Sequence, residues 1–186
     1  MTTAVRPTSA PTAKRRAVAG GANVTGGAGG EWTTRVARRI NAPRERVYRA
    51  LIDAGDVARW RFPDGMTCVV HEFEGVERGA LRISLTYESI DAIGKTSGRT
   101  DTYRGRFAKL VPNELVVEVD TFESDDPALT GEMTSTIHLT DAPGGGTDLL
   151  ATHEGLPASV SPEENETGWR HALHRLAALV EGTSAP

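Results

Sequence analysis

Cysteine, aromatic residues and long apolar runs are all scarce in this chain of 186 residues. Cys68 is the single cysteine, so the chain can form neither an internal disulfide nor a cysteine-based zinc cluster. No apolar run approaches the ~18 residues that a membrane-spanning helix needs. These shortages exclude a disulfide-stapled scaffold and a helical membrane span, and they favour a reducing compartment, for which we predict the cytoplasm.

Charge is distributed unevenly along the chain. There are 21 Lys and Arg residues against 25 Asp and Glu residues, which gives a formal net charge of -4. Residues 1–30 contain no acidic residue, and their basic residues are Arg6, Lys14, Arg15 and Arg16. The rest of the chain is therefore more acidic than the total, and an acidic body does not attract a polyanion. We predict no nucleic-acid partner.

Composition divides the chain into a tail and one domain. Residues 1–30 are mostly Ala, Thr, Gly, Pro and Ser, with too little apolar surface to offset the entropy of ordering. We predict that residues 1–30 are a disordered tail. Residues 31–183 have an ordinary globular composition and enough length to bury a core, so we predict a single domain there.

A long amphipathic helix is predicted over residues 161–182. Ser161 is a typical side-chain cap, Pro162 suits the first turn, and Gly182 is a typical stop. Between these signals, apolar residues recur three and four apart along one stripe: Trp169, Ala172, Leu173, Leu176, Leu179 and Val180. A helix of about twenty residues spans roughly 30 Å, so it needs a large apolar surface to lie on.

That surface is predicted to be a sheet. Seven runs have the composition of strands: 32–40, 66–74, 80–88, 99–110, 114–122, 132–141 and 147–153. Short connections between the last six indicate an antiparallel meander. Two short helices are predicted after the first strand, one opening at Asn41-Ala42-Pro43 with Asn41 as its cap and one over residues 56–60. The pattern predicts an α+β fold in which a long C-terminal helix lies along a curved, seven-stranded antiparallel sheet.

Four segments carry a family resemblance. They are residues 38–50 (RRINAPRERVYRA), Ala58-Arg59-Trp60, residues 153–156 (HEGL), and Gly168-Trp169 with the leucines that follow. Together they resemble the START-like, or polyketide-cyclase-like (SRPBCC), superfamily and, within it, the activator of Hsp90 ATPase homolog 1-like family. The resemblance covers about residues 33 to 182. It implies a helix-grip fold, in which the sheet wraps the last helix and leaves a cavity between them. Residues 61–65 (RFPDG) depart from the family, whose members often have a second Trp and Gly-Pro there, so the ligand class does not transfer.

Aromatic and polar side chains at inward positions are the candidate site. We predict ligand-binding roles for nine of them: Trp60, Phe62, His71, Phe73, Tyr87, Tyr103, Phe107, His153 and Trp169. Core filling is the alternative for each aromatic residue, and structural hydrogen bonding is the alternative for each histidine. Arg38 shares the inward face of the first strand, so it either pairs with a buried acid or lies on a more exposed strand. We include it as a polar cavity residue.

No motif for catalysis is present. The sequence lacks Gly-x-Ser-x-Gly, a phosphate-binding glycine loop and His-Glu-x-x-His, so we predict no catalytic residue, no metal and no cofactor. Three functions stay open: a binder of a small hydrophobic or amphipathic molecule, a cyclase- or hydrolase-type enzyme acting on a bound carbonyl compound, and an Hsp90-associated or other protein-binding module. The first is favoured, with a small hydrophobic ligand as partner. The oligomeric state stays open, with a homodimer as one alternative.

Overall fold

The computed structural model describes residues 25–26 and 32–182. The prediction of a disordered tail over residues 1–30 lies outside these residues, except for Thr25–Gly26, which form a two-residue strand, β1. The division at residues 30 and 31 therefore stays a prediction. Within the described ranges, no helix combines the length and apolar character that crossing a bilayer would require.

The predicted antiparallel sheet is confirmed. Its seven predicted strands are β2 (Trp32–Ile40), β3 (Met66–Phe73), β4 (Ala80–Tyr87), β5 (Thr100–Val111), β6 (Leu115–Phe122), β7 (Met133–Asp141) and β8 (Thr147–Leu156). The sheet order is β1-β2-β8-β7-β6-β5-β4-β3, and every neighbouring pair is antiparallel. Strands β3 to β8 form the predicted meander, and β2 pairs with β8, the last strand.

Alternation gives the sheet one buried face. In β7, Met133, Ser135 and Ile137 are buried while the residues between them are not. Strand register shifts at three places, within β2, at the β3–β4 pair and at the β5–β6 pair. Such bulges bend a strand and increase its twist, which lets this sheet curve around the helix.

Two short helices connect β2, next to one edge of the sheet, to β3, at the other edge. They are α1 (Arg44–Ile52) and α2 (Ala54–Trp60). The prediction that Asn41 caps α1 is wrong: the N-cap is Pro43, which makes no side-chain cap bond, and the Asn41 backbone N–H donates to Glu181 Oε1 at 2.7 Å. Helix α2 begins two residues before its predicted start, because the Asp53 side chain caps it by accepting from the backbone N–H of Asp56.

The long C-terminal helix is confirmed as α3 (Pro162–Glu181). Ser161 Oγ accepts from the backbone N–H of Glu164 at 3.2 Å, and Gly182 ends the helix at φ 74°. That left-handed conformation favours glycine. The apolar face of α3 packs on the concave side of the sheet and on the two short helices, and its buried apolar residues are Ala172, Leu173, Leu176, Ala177, Ala178 and Val180.

Candidate functional site

A cavity of about 570 Å³ lies between the sheet and the first half of α3. Its inner end is formed by buried residues, among them Arg61 and Ser135, while its outer end reaches exposed residues, among them Asp64 and Glu163. The cavity therefore opens to solvent at one end. Its apolar lining consists of Phe62, Pro63, Met66, Leu85, Phe122, Met133, Leu156, Val160, Trp169 and Ala172.

A buried ion pair stands at the inner end. Arg61, just after α2, donates from Nη1 to Glu118 Oε1 at 2.8 Å and from Nη2 to Glu118 Oε2. Only 9% of the Arg61 side chain and 4% of the Glu118 side chain are exposed. Burial alone would lower the pKa of Arg61, but Glu118, Tyr103 and Asp120 together outweigh it and raise the pKa well above its usual range. The guanidinium also lies 5.6 Å from the centre of the Tyr103 ring.

Asp120 lines the cavity beside this pair. Its Oδ2 is 3.7 Å from Arg61 Nη2, and its buried Oδ1 has no hydrogen-bond partner. Gly105 provides the space for this carboxyl group, since a Cβ at that position would lie 2.1 Å from Asp120 Oδ1. Burial and the neighbouring charge of Glu118 raise the pKa of Asp120 to about 8. Near neutral pH this carboxyl group is therefore largely protonated and uncharged.

A second polar group joins β8 to α3. Asn165 Nδ2 lies 3.0 Å and Trp169 Nε1 lies 3.4 Å from His153 Nδ1, and Thr34 Oγ1 donates to Asn165 Oδ1 at 2.7 Å. The rings of His153 and Trp169 pack edge to face. Burial lowers the pKa of His153 to about 4. The imidazole is therefore neutral at physiological pH.

Two ion pairs include residues that line the cavity. In the first, Arg175 Nη2 donates to Asp64 Oδ1 at 2.9 Å, and the guanidinium lies 4.5 Å from the centre of the Phe62 ring. In the second, Lys95 Nζ donates to Asp101 Oδ2 at 2.7 Å and lies 6.0 Å from the centre of the Tyr87 ring. The first pair ties the loop after α2 to helix α3, and the second ties the loop after β4 to β5.

Five of the predicted site residues line this cavity: Phe62, Tyr87, Tyr103, His153 and Trp169. The structure brings them together from the loop after α2, from three strands and from α3. Whether they bind a ligand stays a prediction.

The other predicted residues do not line the cavity. Trp60 is 1% exposed and donates from Nε1 to the Ala50 carbonyl oxygen at 2.9 Å. Phe73 and Phe107 pack edge to face in the core, and His71 Nε2 bonds to Ser84 Oγ. These four side chains therefore fill the core or make structural hydrogen bonds, which are the alternatives given for them above.

Arg38 also lies outside the cavity lining. Its Nη2 is 3.0 Å from His174 Nδ1 on α3, so its partner is a histidine and not the buried acid of the first alternative. The Nε atom of Arg38 is buried without a hydrogen-bond partner. The side chain thus bridges β2 and α3 away from the cavity.

Sequence reasoning missed most of the polar lining. Arg61, Asp120 and Ser135 were not among the predicted residues, nor were Asn165 and His171. One signal was available: Val116, Glu118 and Asp120 alternate along β6, which places two acids on the buried side of a strand. Acids at inward positions require a buried cation or protonation, and either outcome would have marked the strand as part of a site.

The curved sheet, the gripped helix and the cavity between them define a helix-grip protein of the START-like kind. Residues 41–181 match the family described as Activator of Hsp90 ATPase homolog 1-like protein, and the chain belongs to that family. No curated protein is similar enough to match this chain.

Solved structures agree with this assignment. Protein CV1439 of Chromobacterium violaceum is 38% identical, with 80% of this chain and 96% of that chain covered and a TM-score of 0.71. The AHSA1 protein SPO3351 of Silicibacter pomeroyi is 18% identical, with 80% and 97% covered and a TM-score of 0.66. Protein Ms6760 of Mycobacterium smegmatis is 17% identical, with 88% and 98% covered and a TM-score of 0.61. The last two comparisons show the fold alone.

Proposed function

We propose that this protein binds a small hydrophobic or amphipathic molecule in the cavity between the sheet and α3. The observation that carries the proposal is the cavity itself, which is open at one end and whose lining surface is mainly apolar. Small-molecule sites typically have volumes of about 300–1,000 Å³, apolar walls and a few oriented polar groups. The inner wall here has such groups in Asp120, His153 and Tyr103.

The volume limits the size of the ligand. One water molecule occupies ~30 Å³ of liquid, so about 570 Å³ corresponds to roughly 19 such volumes. A ligand with up to about twenty non-hydrogen atoms fits this space. Long-chain diacyl lipids are too large for this volume, whereas ligands with one or two rings, or with one short acyl chain, fit within it.

A direct test is to fill the cavity from within. Ser135 is buried and borders the cavity, so Ser135→Phe places a ring in it, whereas His138→Phe adds the same ring to an exposed position of the same strand. We expect native mass spectrometry to find a retained small molecule on the wild-type protein and on His138→Phe but not on Ser135→Phe. In titrations, the uncharged fluorescent probe N-phenyl-1-naphthylamine should bind the wild-type protein and His138→Phe more tightly than Ser135→Phe. Equal probe binding by all three folded proteins would refute a site in this cavity.

An enzyme of the cyclase or hydrolase kind is the second candidate, because Asp120 favours it. A general acid or base works best when its pKa is near the operating pH, and burial and Glu118 raise the pKa of Asp120 to about 8. His153 and Tyr103 would then polarise a bound carbonyl as hydrogen-bond donors. The test is to incubate the molecule recovered from the protein with fresh enzyme and with Asp120→Asn, and to look for a mass change that only the wild type produces.

The remaining alternatives have less support. The Hsp90-associated role rests on the family description alone. The cytoplasmic location and a homodimeric state stay predictions. Size-exclusion chromatography with light scattering would decide the second of these.

A further inference from the structure

The contacts of His153 determine which of its ring nitrogens carries hydrogen. The indole N–H of Trp169 can only donate, and it lies 3.4 Å from His153 Nδ1. Asn165 presents both amide atoms to the same nitrogen, Nδ2 at 3.0 Å and Oδ1 at 3.3 Å, and Thr34 Oγ1 donates to that Oδ1. Because the donor-only indole N–H of Trp169 makes Nδ1 an acceptor, the nearer NH₂ group of Asn165 is the one that can bond there. Two donors therefore meet at Nδ1, and Nδ1 must be the unprotonated, accepting nitrogen.

The other nitrogen of this ring is then a donor without a partner. A neutral imidazole with an accepting Nδ1 has its hydrogen on Nε2. Burial, which lowers the pKa of His153 to about 4, keeps the ring neutral. Within residues 32–182, the hydrogen bonds of His153 all involve Nδ1, and the side chain borders the cavity. An unpaired N–H group is therefore available to a molecule in the cavity.

The charges of the inner wall are balanced without a ligand. Arg61 is neutralised by its two hydrogen bonds to Glu118. Asp120 is largely uncharged near neutral pH, because burial and Glu118 raise its pKa to about 8. Burial also raises the pKa of Tyr103, which stays a neutral phenol. The wall thus offers neither an unpaired cation to an anionic ligand nor a free carboxylate to a cationic one.

We propose that the ligand has an uncharged polar end, such as a ketone carbonyl oxygen, that accepts a hydrogen bond from Nε2 of His153, with an apolar body along the lining of the cavity. This inference rests on the proposed function and specifies its ligand class. His153 is then a binding residue through one nitrogen, while Trp169 and Asn165 position it through the other.

The first test needs no ligand. In protein labelled with ¹⁵N-histidine, two-bond ¹H–¹⁵N correlation spectra at neutral pH distinguish a protonated ring nitrogen from an unprotonated one, and loss of the signals in His153→Gln assigns them. We expect Nε2 to be protonated and Nδ1 unprotonated. A proton on Nδ1, or a doubly protonated ring, would overturn the inference whatever the protein binds.

The second test compares four probes that share a naphthalene ring. They are 2-acetylnaphthalene with a neutral acceptor, 2-ethylnaphthalene with none, 2-naphthoate with a negative charge and 2-naphthylmethylammonium with a positive charge. We expect the acetyl probe to bind about three- to tenfold more tightly than the ethyl probe, which is the range of one neutral hydrogen bond. The two charged probes should bind more weakly than either, because each would bring an uncompensated charge into a buried wall.

Matched variants assign the preference to His153. His153→Phe keeps an aromatic ring beside Trp169 but removes the N–H group, so the acetyl preference should disappear. His153→Gln can offer an amide N–H and should retain part of it. His138→Phe changes an exposed histidine outside the cavity and should retain it fully.

The outcomes separate this inference from the proposed function. Tightest binding of 2-naphthoate, or an acetyl preference that persists in His153→Phe, overturns the ligand class while the binding function stands. If none of the four probes binds the wild-type protein, the proposed function fails and this inference fails with it.

Discussion

Replacing Arg61 by methionine removes the cation from a buried group of three charged or titratable side chains. Glu118 and Asp120 would be left together without a positive partner. Breaking a buried ion pair from one side generally costs about 3–5 kcal/mol, because the remaining charge is stranded. In Arg61→Met, the stranded carboxylate can escape this cost only by taking up a proton.

The cost should therefore depend on pH. An ordinary glutamic acid has a pKa near 4.3, so holding one protonated takes about 4 kcal/mol at pH 7.5 and about 1 kcal/mol at pH 5. In the variant, the folded state would hold a proton that the unfolded state releases above pH ~4, so the free energy of unfolding falls as pH rises. We expect Arg61→Met to lower the free energy of unfolding by about 4 kcal/mol at pH 7.5 and by about 1 kcal/mol at pH 5, from this effect alone.

Urea unfolding followed by tryptophan fluorescence at the two pH values measures this difference. Arg106→Met is the matched control, because it also removes an arginine from an ion pair, here with Glu132 at 3.1 Å, but its side chain is 52% exposed. An exposed pair contributes about 0–1 kcal/mol, so the control should change little at either pH. A loss below 1 kcal/mol at pH 7.5 in Arg61→Met, or an equal loss at both pH values, would refute the reasoning.

Four further predictions concern the core and the cavity. Trp60→Phe should lower the free energy of unfolding by about 1–3 kcal/mol, because the Ala50 carbonyl oxygen loses its buried donor, and an unchanged urea midpoint would contradict this. Gly105→Ala should lower it by about 1–3 kcal/mol through overpacking against Asp120, as thermal unfolding would show. Because burial and a neighbouring carboxylate raise the pKa of Asp120 to about 8, the wild-type free energy of unfolding should fall as pH rises from ~4 to ~8, and Asp120→Asn should remove that component of the slope. Trp169→Ala should weaken N-phenyl-1-naphthylamine binding as well as stability, and unchanged affinity in the folded variant would remove Trp169 from the site.

Periodicity predicted the fold well because each element carries its own pattern. Strand alternation and the three-and-four spacing of α3 depend only on neighbours in the sequence. The errors fall where a local signal was ambiguous. The last strand was predicted to end at residue 153, yet β8 continues to Leu156, which pairs with Trp32 and is buried. The second short helix was predicted over residues 56–60, yet α2 begins at Ala54 and includes Gly55.

The site was harder to predict because it depends on register between distant strands. Ser135 lies beside His153 on one side and beside Glu118 on the other, and nothing in the three separate segments indicates that pairing. The presence of an aromatic residue at an inward position also does not tell whether its side chain lines the cavity or fills the core. Tyr103 and Phe107 share a face of β5, but Phe107 packs against Phe73 while Tyr103 reaches the cavity. The polar inner wall became visible only in three dimensions.

The adjacency of β2 and β8 has a consequence for how the chain is made. During synthesis, β2 leaves the ribosome long before β8 is made, and almost the whole domain lies between the two strands in the sequence. The backbone groups on the side of β2 that pairs with β8 therefore stay without hydrogen-bond partners until β8 has been made. Contacts between such remote segments form slowly, and an unpaired strand invites association with other chains. Nascent chains that stop short of residue 147 should therefore be the most prone to aggregate and the most dependent on chaperones.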